Sequence, residues 1–592
     1  MPRWSLVVLA LAAALGLARP ASAYTYGDTL TLIWKPLPNL PAFARPGDTF
    51  TVWANAPSSA SGWDAMLRLG SQSHPLTLAG GGWQSSLARW VMSFQVPAGV
   101  PEELYDLTLT CGTCGQDTAR HAVKVLPDYP ADFYFAQISD SHLPSPVFSS
   151  SGSFNPADTS SMADLGPVIE DLNLLHPAFV IHTGDLVNEG ELEEYLGMYE
   201  MGRAKEMLYR FRDPVFLSSG NHDIGGWKAT LPPDGTSRRN WWRYFGWPFL
   251  LNPPAGDPYH SQDYSFDYGL LHVIGMEAYL NSGSYDSFMQ NIWGTKSFTP
   301  EQMGWLSADI AAVPAGRSKL AFYHYDFTGS QINPSTLGLD GVIYGHTHTW
   351  NQGNLTARPF NLAVGATSDG ARTFRVFRVH NGVITPGPMH HSGGTSTAPT
   401  DSLAIFWSGP NDGTQSRLSA TVNNRFRETW DNAQLVFVLA DHDSSFSATG
   451  GTVRQTLRGG GLVRVYVDCV LPASGVATVA VAPLAPLGPL AVEPPRPAAF
   501  RLDPPSPNPF VPRSGALSIR FSLPAAGDVR LAVYDLEGRR VATPFDGPAS
   551  AGGHAIAWDG WSDGGAPLGA GLYFVRLATP AGAMHRKVTV MD

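Results

Sequence analysis

Apolar and polar residues alternate along short runs near both ends of the chain, as in DTFTVWAN and YDLTLTC early on and HAIAWDG late. A period of two is typical of half-buried β-strands. The middle of the chain differs, because Leu165, Ile169, Leu172 and Leu175 recur at helical spacing between short apolar runs. The pattern therefore predicts β-sandwich regions on either side of an α/β region.

In the middle region, short apolar runs of the kind found in buried strands alternate with helical segments. Strands are predicted over 133–139, 179–182, 214–217, 320–323 and 341–344. Helices are predicted over 161–175 and 191–211, with a third that begins at Pro300 after an N-capping Thr299. Strands that alternate with helices indicate an α/β domain.

Changes of composition predict the domain boundaries. They give a signal peptide (1–23), an N-terminal Ig-like β-sandwich (24–129), an α/β domain (130–395), a β-rich domain (396–484), a Pro/Ala-rich linker (485–502) and a C-terminal β-sandwich (503–592).

The first 23 residues have the layout of a secretory signal. Arg3 precedes an apolar run from Leu6 to Leu17, and Ala21-Ser22-Ala23 forms a small-residue cleavage site. The run is short for a bilayer span, so a cleaved signal is favoured over an uncleaved anchor. We expect a secreted, periplasmic or cell-surface protein without a transmembrane segment.

The net charge of the chain limits the classes of molecule that it is expected to bind. The formal net charge of the 592-residue chain is −11, which argues against duplex nucleic acid but permits a small phosphorylated substrate, since bound metal can supply local positive charge.

Of the three cysteines, Cys111 and Cys114 lie between two strand-like runs, and we expect a hairpin-tip disulfide there. Cys469 is expected to be a buried free thiol. No pattern in the sequence predicts an oligomeric state.

Metal-ligating residue types follow five of the predicted strands of the α/β region. In α/β sheets the carboxyl ends of strands form the ligand-binding edge, so these side chains are expected to converge. Oxygen donors mixed with imidazoles suit Mn, Fe or Zn rather than Ca. The candidate set is Asp140 and His142, Asp185, Asn221 with His222 and Asp223, His324, and His346 with His348.

In order and in strand-end context, the motifs DSH, GD, GNHD, a lone histidine and GHTH resemble those of the calcineurin-like metallophosphoesterases over about 132–380. Any one of them alone would be weak, but five agree. The resemblance implies an αββα-sandwich metallophosphoesterase domain, which would be flanked here by β-sandwich (Ig-like) domains. It also implies a binuclear centre that hydrolyses phosphomonoesters or phosphodiesters by attack of metal-bound hydroxide.

Carried over to this sequence, the resemblance implies a role for each candidate residue. Asp185 would bridge the two ions. His222 would contact the phosphate and stabilise or protonate the leaving oxygen, with Asp223 orienting it. One ion would be held by Asp140, His142 and His348, and the other by Asn221, His324 and His346.

Three features leave alternatives open. The position three residues after Asp185, where purple acid phosphatases carry a tyrosine ligand, is Asn188, so a coloured ferric centre is not expected. The WWRYFGW cluster between the third and fourth motifs is predicted to pack in the core, with a wall of the substrate cleft as the alternative. The rival functions are a non-catalytic surface adhesion or scaffold protein with a degenerate phosphoesterase domain and a phospholipid-directed phosphodiesterase.

The last ninety or so residues, with PNPF, AVYDLEGRRV and AGLYFVRL, are similar to FlgD-like Ig and type IX secretion sorting domains. This resemblance implies export or attachment to the cell surface through the C-terminal domain. The chain ends in Val590-Met591-Asp592, without the basic tail that is common in sorting signals. A plain structural β-module is therefore the alternative.

Overall fold

The computed structural model divides the chain into two compact units, Met1–Pro486 and Leu487–Asp592. No helix among the described residues is long and apolar enough to cross a bilayer. The described residues are 32–143, 160–188, 194–224, 241, 244–245, 263–277, 298, 300–394, 403–442, 445–484, 500–506, 508–512, 517–549, 552–564, 566–580 and 582–591. The signal segment and most of the linker predicted from the sequence lie outside them.

The N-terminal region of the first unit consists of two sheets, as expected from its alternating pattern. The first has the order β1-β3-β7-β6 and the second β2-β9-β8-β4-β5. The Cys111–Cys114 disulfide closes the tip between β8 and β9, and Cys469 is free and buried. The strands are β1 (Ile33–Lys35), β2 (Ala42–Ala44), β3 (Thr49–Ala54), β4 (Trp63–Leu69), β5 (Gln72–Pro75), β6 (Thr77–Gln84), β7 (Arg89–Gln95), β8 (Glu103–Cys111) and β9 (Gly115–Val125).

The central region contains two five-stranded sheets. In the first, ordered β12-β11-β10-β18-β19, strands β10, β11 and β12 are parallel and β18 runs antiparallel to β10. Its strands are β10 (Asp132–Ile138), β11 (Val180–His182), β12 (Val215–Leu217), β18 (Thr373–His380) and β19 (Val383–His391). The helices between them are α1 (Ser160–Leu175), α2 (Glu194–Leu208) and the short α3 (Asn221–Ile224).

The second central sheet has the order β13-β14-β15-β16-β17, and β14 to β17 are parallel. Its strands are β13 (Tyr264–Tyr268), β14 (Leu271–Gly275), β15 (Ser318–Phe322), β16 (Gly341–Tyr344) and β17 (Phe360–Ala363). The helices α4 (Pro300–Ala312) and α5 (Pro334–Leu337) belong to this half.

Alternate residues of each central strand pack on opposite faces, which produces the layered αββα sandwich. Phe135 and Phe216 share one buried core with Phe322 of the second sheet, and the rings of Phe216 and Phe266 stack across the interface at 3.6 Å. Residues of the other faces are buried with the helices in a separate core. The fold class predicted from the sequence is confirmed.

Two further β-regions complete the described chain. In the first unit, the sheets β20-β21-β26-β23 and β22-β25-β24 follow the sandwich. Their strands are β20 (Leu403–Trp407), β21 (Leu418–Asn424), β22 (Trp430–Ala440), β23 (Phe446–Thr449), β24 (Thr452–Gly459), β25 (Leu462–Leu471) and β26 (Gly475–Pro483).

The second unit has the sheets β27-β28-β31 and β30-β29-β32-β33, with their own core. Its strands are β27 (Arg501–Leu502), β28 (Leu517–Leu523), β29 (Gly527–Tyr534), β30 (Arg540–Ala549), β31 (Gly552–Trp558), β32 (Gly571–Thr579) and β33 (Gly582–Val590). The domain boundaries drawn from the sequence stay a prediction.

Candidate metal centre

The loops that follow β10, β11, β12, β15 and β16 meet at one edge of the central sandwich. Although these loops are far apart in the chain, they bring together two groups of potential metal ligands. In each group the ligand atoms lie within 4.8 Å of one another. The two groups share one residue, Asp185, which is buried.

The first group consists of Asp140, His142, Asp185 and His348. The Nε2 atom of His348 lies 3.2 Å from Oδ1 of Asp140 and 2.9 Å from Nε2 of His142. The Nε2 atom of His142 lies 3.8 Å from Oδ2 of Asp185. Two imidazole nitrogens and two carboxylates therefore face a common point.

The second group consists of Asp185, His324 and His346, and Asn221 lies beside it. The Nε2 atom of His324 is 3.0 Å from Oδ2 of Asp185. The Nδ1 atom of His346 is 3.2 Å from that nitrogen and 3.1 Å from Oδ1 of Asn221. All seven residues proposed from the sequence as ligands thus lie at one site, split into the two groups that the resemblance implied.

The loops adopt a backbone conformation that few residues other than glycine accept. Left-handed φ values occur at five of the seven proposed ligands. Such turns redirect the chain sharply after a strand, so a side chain at the turn projects beyond the sheet edge. The values are 52° for Asp140, 42° for His142, 52° for Asp185, 69° for His346 and 50° for His348.

Glycines allow these loops to approach one another. A Cβ atom on Gly220 would lie 2.2 Å from Oδ1 of Asp185, and one on Gly345 would lie 1.9 Å from Oγ of Ser139 and 2.6 Å from Oδ2 of Asp140. Gly184 has a φ of 99° and would meet the ring of His324 at 2.7 Å. The glycines of the GD, GNHD and GHTH motifs are therefore packing requirements of the site.

A backbone hydrogen bond sets the orientation of one imidazole. The Nδ1–H group of His324 donates to the carbonyl oxygen of Thr183 at 2.8 Å, which turns Nε2 toward Asp185. A histidine that ligates a metal commonly donates its other ring N–H group to an oxygen in this way. Nε2 of His324 is therefore the nitrogen that is available to a metal ion.

Burial and neighbouring charges shift the pKa values of the histidines and carboxylates in the two ligand groups. Burial lowers the pKa of His142 to about 3, so its imidazole is neutral. Burial alone would raise the pKa of Asp185, but the neighbouring His324 imidazole lowers it well below its usual value. Burial would lower the pKa of His324, yet the carboxylate of Asp185 raises it to about 9. A metal ion at Nε2 of His324 would therefore displace a proton.

His222 lies beside the first group, with its ring centroid 4.8 Å from that of His142. Its Nδ1–H group donates to the carbonyl oxygen of Asn188 at 2.5 Å, which leaves Nε2 as the ring nitrogen that is free to meet a substrate. Its backbone N–H group donates to Oδ1 of Asp185 at 2.9 Å.

Asp223 differs from expectation, because we expected it to orient the His222 ring. Its carboxylate instead accepts backbone N–H groups from Val187 at 3.0 Å and Gly220 at 2.8 Å, and it is fully buried. Burial and the charge of Asp185 raise the pKa of Asp223 to about 8, against the effect of these two donors. Asp223 ties the loop after β11 to the loop after β12, and the Asn188 carbonyl takes the orienting role.

A buried hydrogen-bond chain supports the first loop. The Nδ1 atom of His182 accepts the Gly184 N–H group, so its Nε2–H group donates to Oγ of Ser141 at 2.8 Å. Ser141 Oγ in turn lies 2.8 Å from Oγ1 of Thr367. His182 is therefore a supporting residue of this loop. Ser141 and Thr367 were not singled out from the sequence, since hydroxyl residues of this kind carry no motif.

The structure describes part of the aromatic WWRYFGW cluster. Trp241, Tyr244 and Phe245 are buried, with exposed fractions of 0%, 5% and 0%. They belong to the core that the helices share, so core packing holds for these three. Trp242 and Trp247 lie outside the described residues.

The donor set fits two metal ions of the Mn, Fe or Zn type. Each group mixes carboxylate or amide oxygen with imidazole nitrogen, the combination such ions accept. Two imidazole nitrogens 2.9 Å apart, aimed at the same carboxylates, are arranged as ligands rather than as a chain of hydrogen bonds. The Nδ1 atom of His142 is buried and has no hydrogen-bond partner among the described residues.

Comparison with known proteins supports this site at the level of the family. Residues 133–350 match the calcineurin-like phosphoesterase family, and residues 513–582 match the FlgD Ig-like domain. The chain therefore contains a calcineurin-like phosphoesterase domain and, near its C-terminus, an Ig-like domain of the FlgD type. The resemblances to the calcineurin-like phosphoesterases and to the FlgD-like Ig domains are confirmed, and the resemblance to type IX sorting domains stays a prediction.

Two solved structures are similar to the chain at low identity. Purple acid phosphatase PPD1 of yellow lupin (Lupinus luteus) is 13% identical, with 64% of this chain and 70% of that chain covered and a TM-score of 0.33. A dimetal phosphatase of Danio rerio is 12% identical, with 42% and 93% covered and a TM-score of 0.30. At these scores we draw no conclusion from either structure. No curated protein sequence is significantly similar to the chain.

Proposed function

We propose that the protein is an exported, metal-dependent phosphoric ester hydrolase that cleaves small phosphomonoesters or phosphodiesters. The observation that carries this proposal is the single buried carboxylate of Asp185, shared between two groups of potential ligands. A shared carboxylate is what two adjacent cations need, because the anion between them offsets their repulsion.

Asp140, His142 and His348 would hold one ion, Asn221, His324 and His346 the other, and Asp185 both. When bound, two Mn, Fe or Zn ions would supply Lewis acidity toward the phosphoryl oxygens and a nucleophile derived from water. No serine or cysteine nucleophile is needed for this chemistry.

The chain itself would supply the proton for the leaving group. The ring of His222 is held through Nδ1 by the Asn188 carbonyl, so Nε2 is the atom that meets substrate. In the protonated imidazolium, Nε2–H would donate to the leaving oxygen as the bond to phosphorus breaks. Asp223 would act as a positioning residue, since its carboxylate joins the two loops that carry Asp185 and Asn221.

Two features support export and surface attachment. The first 23 residues have the pattern of a signal peptide, and the FlgD-type Ig-like domain resembles modules found in exported proteins. We propose a secreted, periplasmic or cell-surface location, with the C-terminal domain as the point of attachment. A purely structural scaffold is disfavoured, because a degenerate site would not be expected to keep all seven donor side chains.

An activity panel tests the proposal. The full chain, supplied with Mn, Fe or Zn, is assayed on p-nitrophenyl phosphate and bis-p-nitrophenyl phosphate beside Asp185→Asn. Asp431→Asn is the matched control, because the side chain of Asp431 is 63% exposed and belongs to neither ligand group. We expect turnover in the wild type and the control and none in Asp185→Asn. Equal turnover in all three proteins, or none in the wild type with any of the metals, would refute the proposal.

A further inference from the structure

A cavity of about 510 Å³ lies in the first unit, away from the candidate metal centre. Because it is separate from that centre, it is called the second cavity below. The turn between β4 and β5, the segment after α2, and strands β24 and β25 line it. Its volume falls within the range of about 300–1,000 Å³ that is typical of small-molecule sites. Tyr209 and Arg212 precede β12 and Asn221 follows it, so the cavity and the metal centre lie at opposite ends of that strand.

The charged side chains around this cavity are mostly basic, although the whole chain carries a net charge of −11. The one carboxylate among them, Glu103, accepts the N–H group of Leu104, and Arg458 forms an ion pair with Asp441. Burial lowers the pKa of His121, so it adds no charge at neutral pH. The charged or titratable residues that line the cavity are Glu103, His121, Arg210, Arg212, Arg458 and Arg464.

Three of these arginines have no carboxylate partner among the described residues. Arg212 donates to the Asn173 carbonyl and to the side-chain oxygen of Gln434, both of them neutral. The guanidinium of Arg210 reaches the sulfur of Met207 and lies beside Gly166 of α1, and neither of these residues lines the cavity, whereas Arg464 is exposed. Two of the five N–H donors of Arg212 are thereby used, so the others remain available to a ligand.

The cavity wall combines a guanidinium held by packing with apolar surface, a combination that suits an organic anion better than a free ion. The guanidinium of Arg212 lies 5.5 Å from the centre of the Tyr466 ring, and that ring is 5% exposed. Such packing holds the guanidinium in place, which reduces the entropy that it loses when it binds. Leu69 and Leu457 add apolar surface to the wall.

We propose that this cavity binds a small organic polyanion whose phosphate or carboxylate groups pair with Arg212 and Arg464. Guanidinium groups recognise both kinds of oxyanion through paired N–H donors. The proposal does not depend on the phosphoesterase function, because none of these residues belongs to the candidate metal centre.

Isothermal titration calorimetry on the full chain tests this proposal. The Asp185→Asn variant serves as the parent protein, so that binding at the candidate metal centre is removed. The probes are methylenediphosphonate, an organic bisphosphonate, and tricarballylate, an organic tricarboxylate. Arg212→Gln/Arg464→Gln is compared with the charge-matched pair Arg425→Gln/Arg427→Gln, because Arg425 and Arg427 are exposed and do not line the cavity.

We expect the parent to bind at least one probe, and the cavity double variant to bind it at least about tenfold more weakly, while the control pair binds as the parent does. The tighter of the two probes assigns the oxyanion class. Should the double variant fail to fold, Arg464→Gln alone, at an exposed side chain, is expected to weaken binding measurably. Absence of binding of both probes to the parent, or equal affinity in all variants, would overturn the proposal.

Discussion

The Nδ1 atom of His222 lies 2.5 Å from the carbonyl oxygen of Asn188, so a main-chain group holds the ring that faces the candidate metal centre. This carbonyl belongs to the position where purple acid phosphatases carry a tyrosine ligand. In this chain the main-chain carbonyl at this position therefore orients His222, the proposed general acid.

Replacement of His222 by alanine is predicted to slow turnover and leave metal content unchanged. General acid catalysis contributes about 10²–10⁴-fold, and the loss of kcat should fall in that range. The loss should be larger for an alkyl phosphate than for p-nitrophenyl phosphate, since p-nitrophenolate leaves more readily without a proton. A loss of rate that is the same for both leaving groups would argue against the acid role.

Gly220→Ala is predicted to disrupt the shared carboxylate. The new Cβ would lie 2.2 Å from Oδ1 and 2.5 Å from the backbone nitrogen of Asp185, and this backbone cannot yield as a flexible side chain would. We expect metal affinity to fall by about 10–100-fold, the usual effect of a misplaced ligand support. Competition with a chelator at graded metal concentrations measures it.

The matched control is Gly304→Ala in helix α4, where an added Cβ meets nothing within 4 Å. This substitution is predicted to retain metal affinity and to stabilise the fold by about 0.5–1 kcal/mol through helix propensity. Equal metal affinity in the two variants would show that the close approach at Gly220 is not required.

The stability of the second central sheet is predicted to depend on pH through His272. Burial alone would lower the pKa of this histidine, but its 2.8 Å contacts with Asp267 and Asp309 raise it to about 9. The pKa in the unfolded chain is about 6.5, so the contribution of the charged pair is complete below that pH and is lost as the pH rises through about 9.

Thermal unfolding of His272→Gln beside the wild type measures this contribution. The difference in midpoint should be largest below about pH 6.5 and shrink steadily toward pH 9. Ser265 and Arg317 also bond to the two carboxylates, so these acids stay anchored in the variant. His442→Gln, at an exposed histidine, should show no such trend. A difference that is constant across this range would contradict the assignment.

The sequence predicted the central fold and the convergence of the ligands because both follow from local rules. The strand Gly341–Tyr344 lies where its apolar run placed it, and His142 and His348 meet although 206 residues separate them. The rule that the carboxyl ends of parallel strands lie at one edge of a sheet was sufficient to predict that these two histidines meet. Five further strands of the central sandwich were not among those predicted from the sequence, namely β13, β14, β17, β18 and β19.

The supporting groups of the site could not be predicted in the same way. Every residue carries a main-chain carbonyl, so nothing in the sequence marks those of Asn188 and Thr183. The contacts of Asp223 depend on the relative position of two loops, which a motif does not encode. The arginines of the second cavity come from distant segments and form no motif, and only the packing of three regions brings them together.

Metal content, measured by inductively coupled plasma mass spectrometry on the purified full chain after loading and extensive dialysis, tests the central claim most directly. If Asp185 is shared between two cations, the wild type should retain two metal ions per chain, with both depleted in Asp185→Asn and retained in Asp431→Asn. Retention of less than one ion by the wild type, or equal metal content in wild type and Asp185→Asn, would contradict the account.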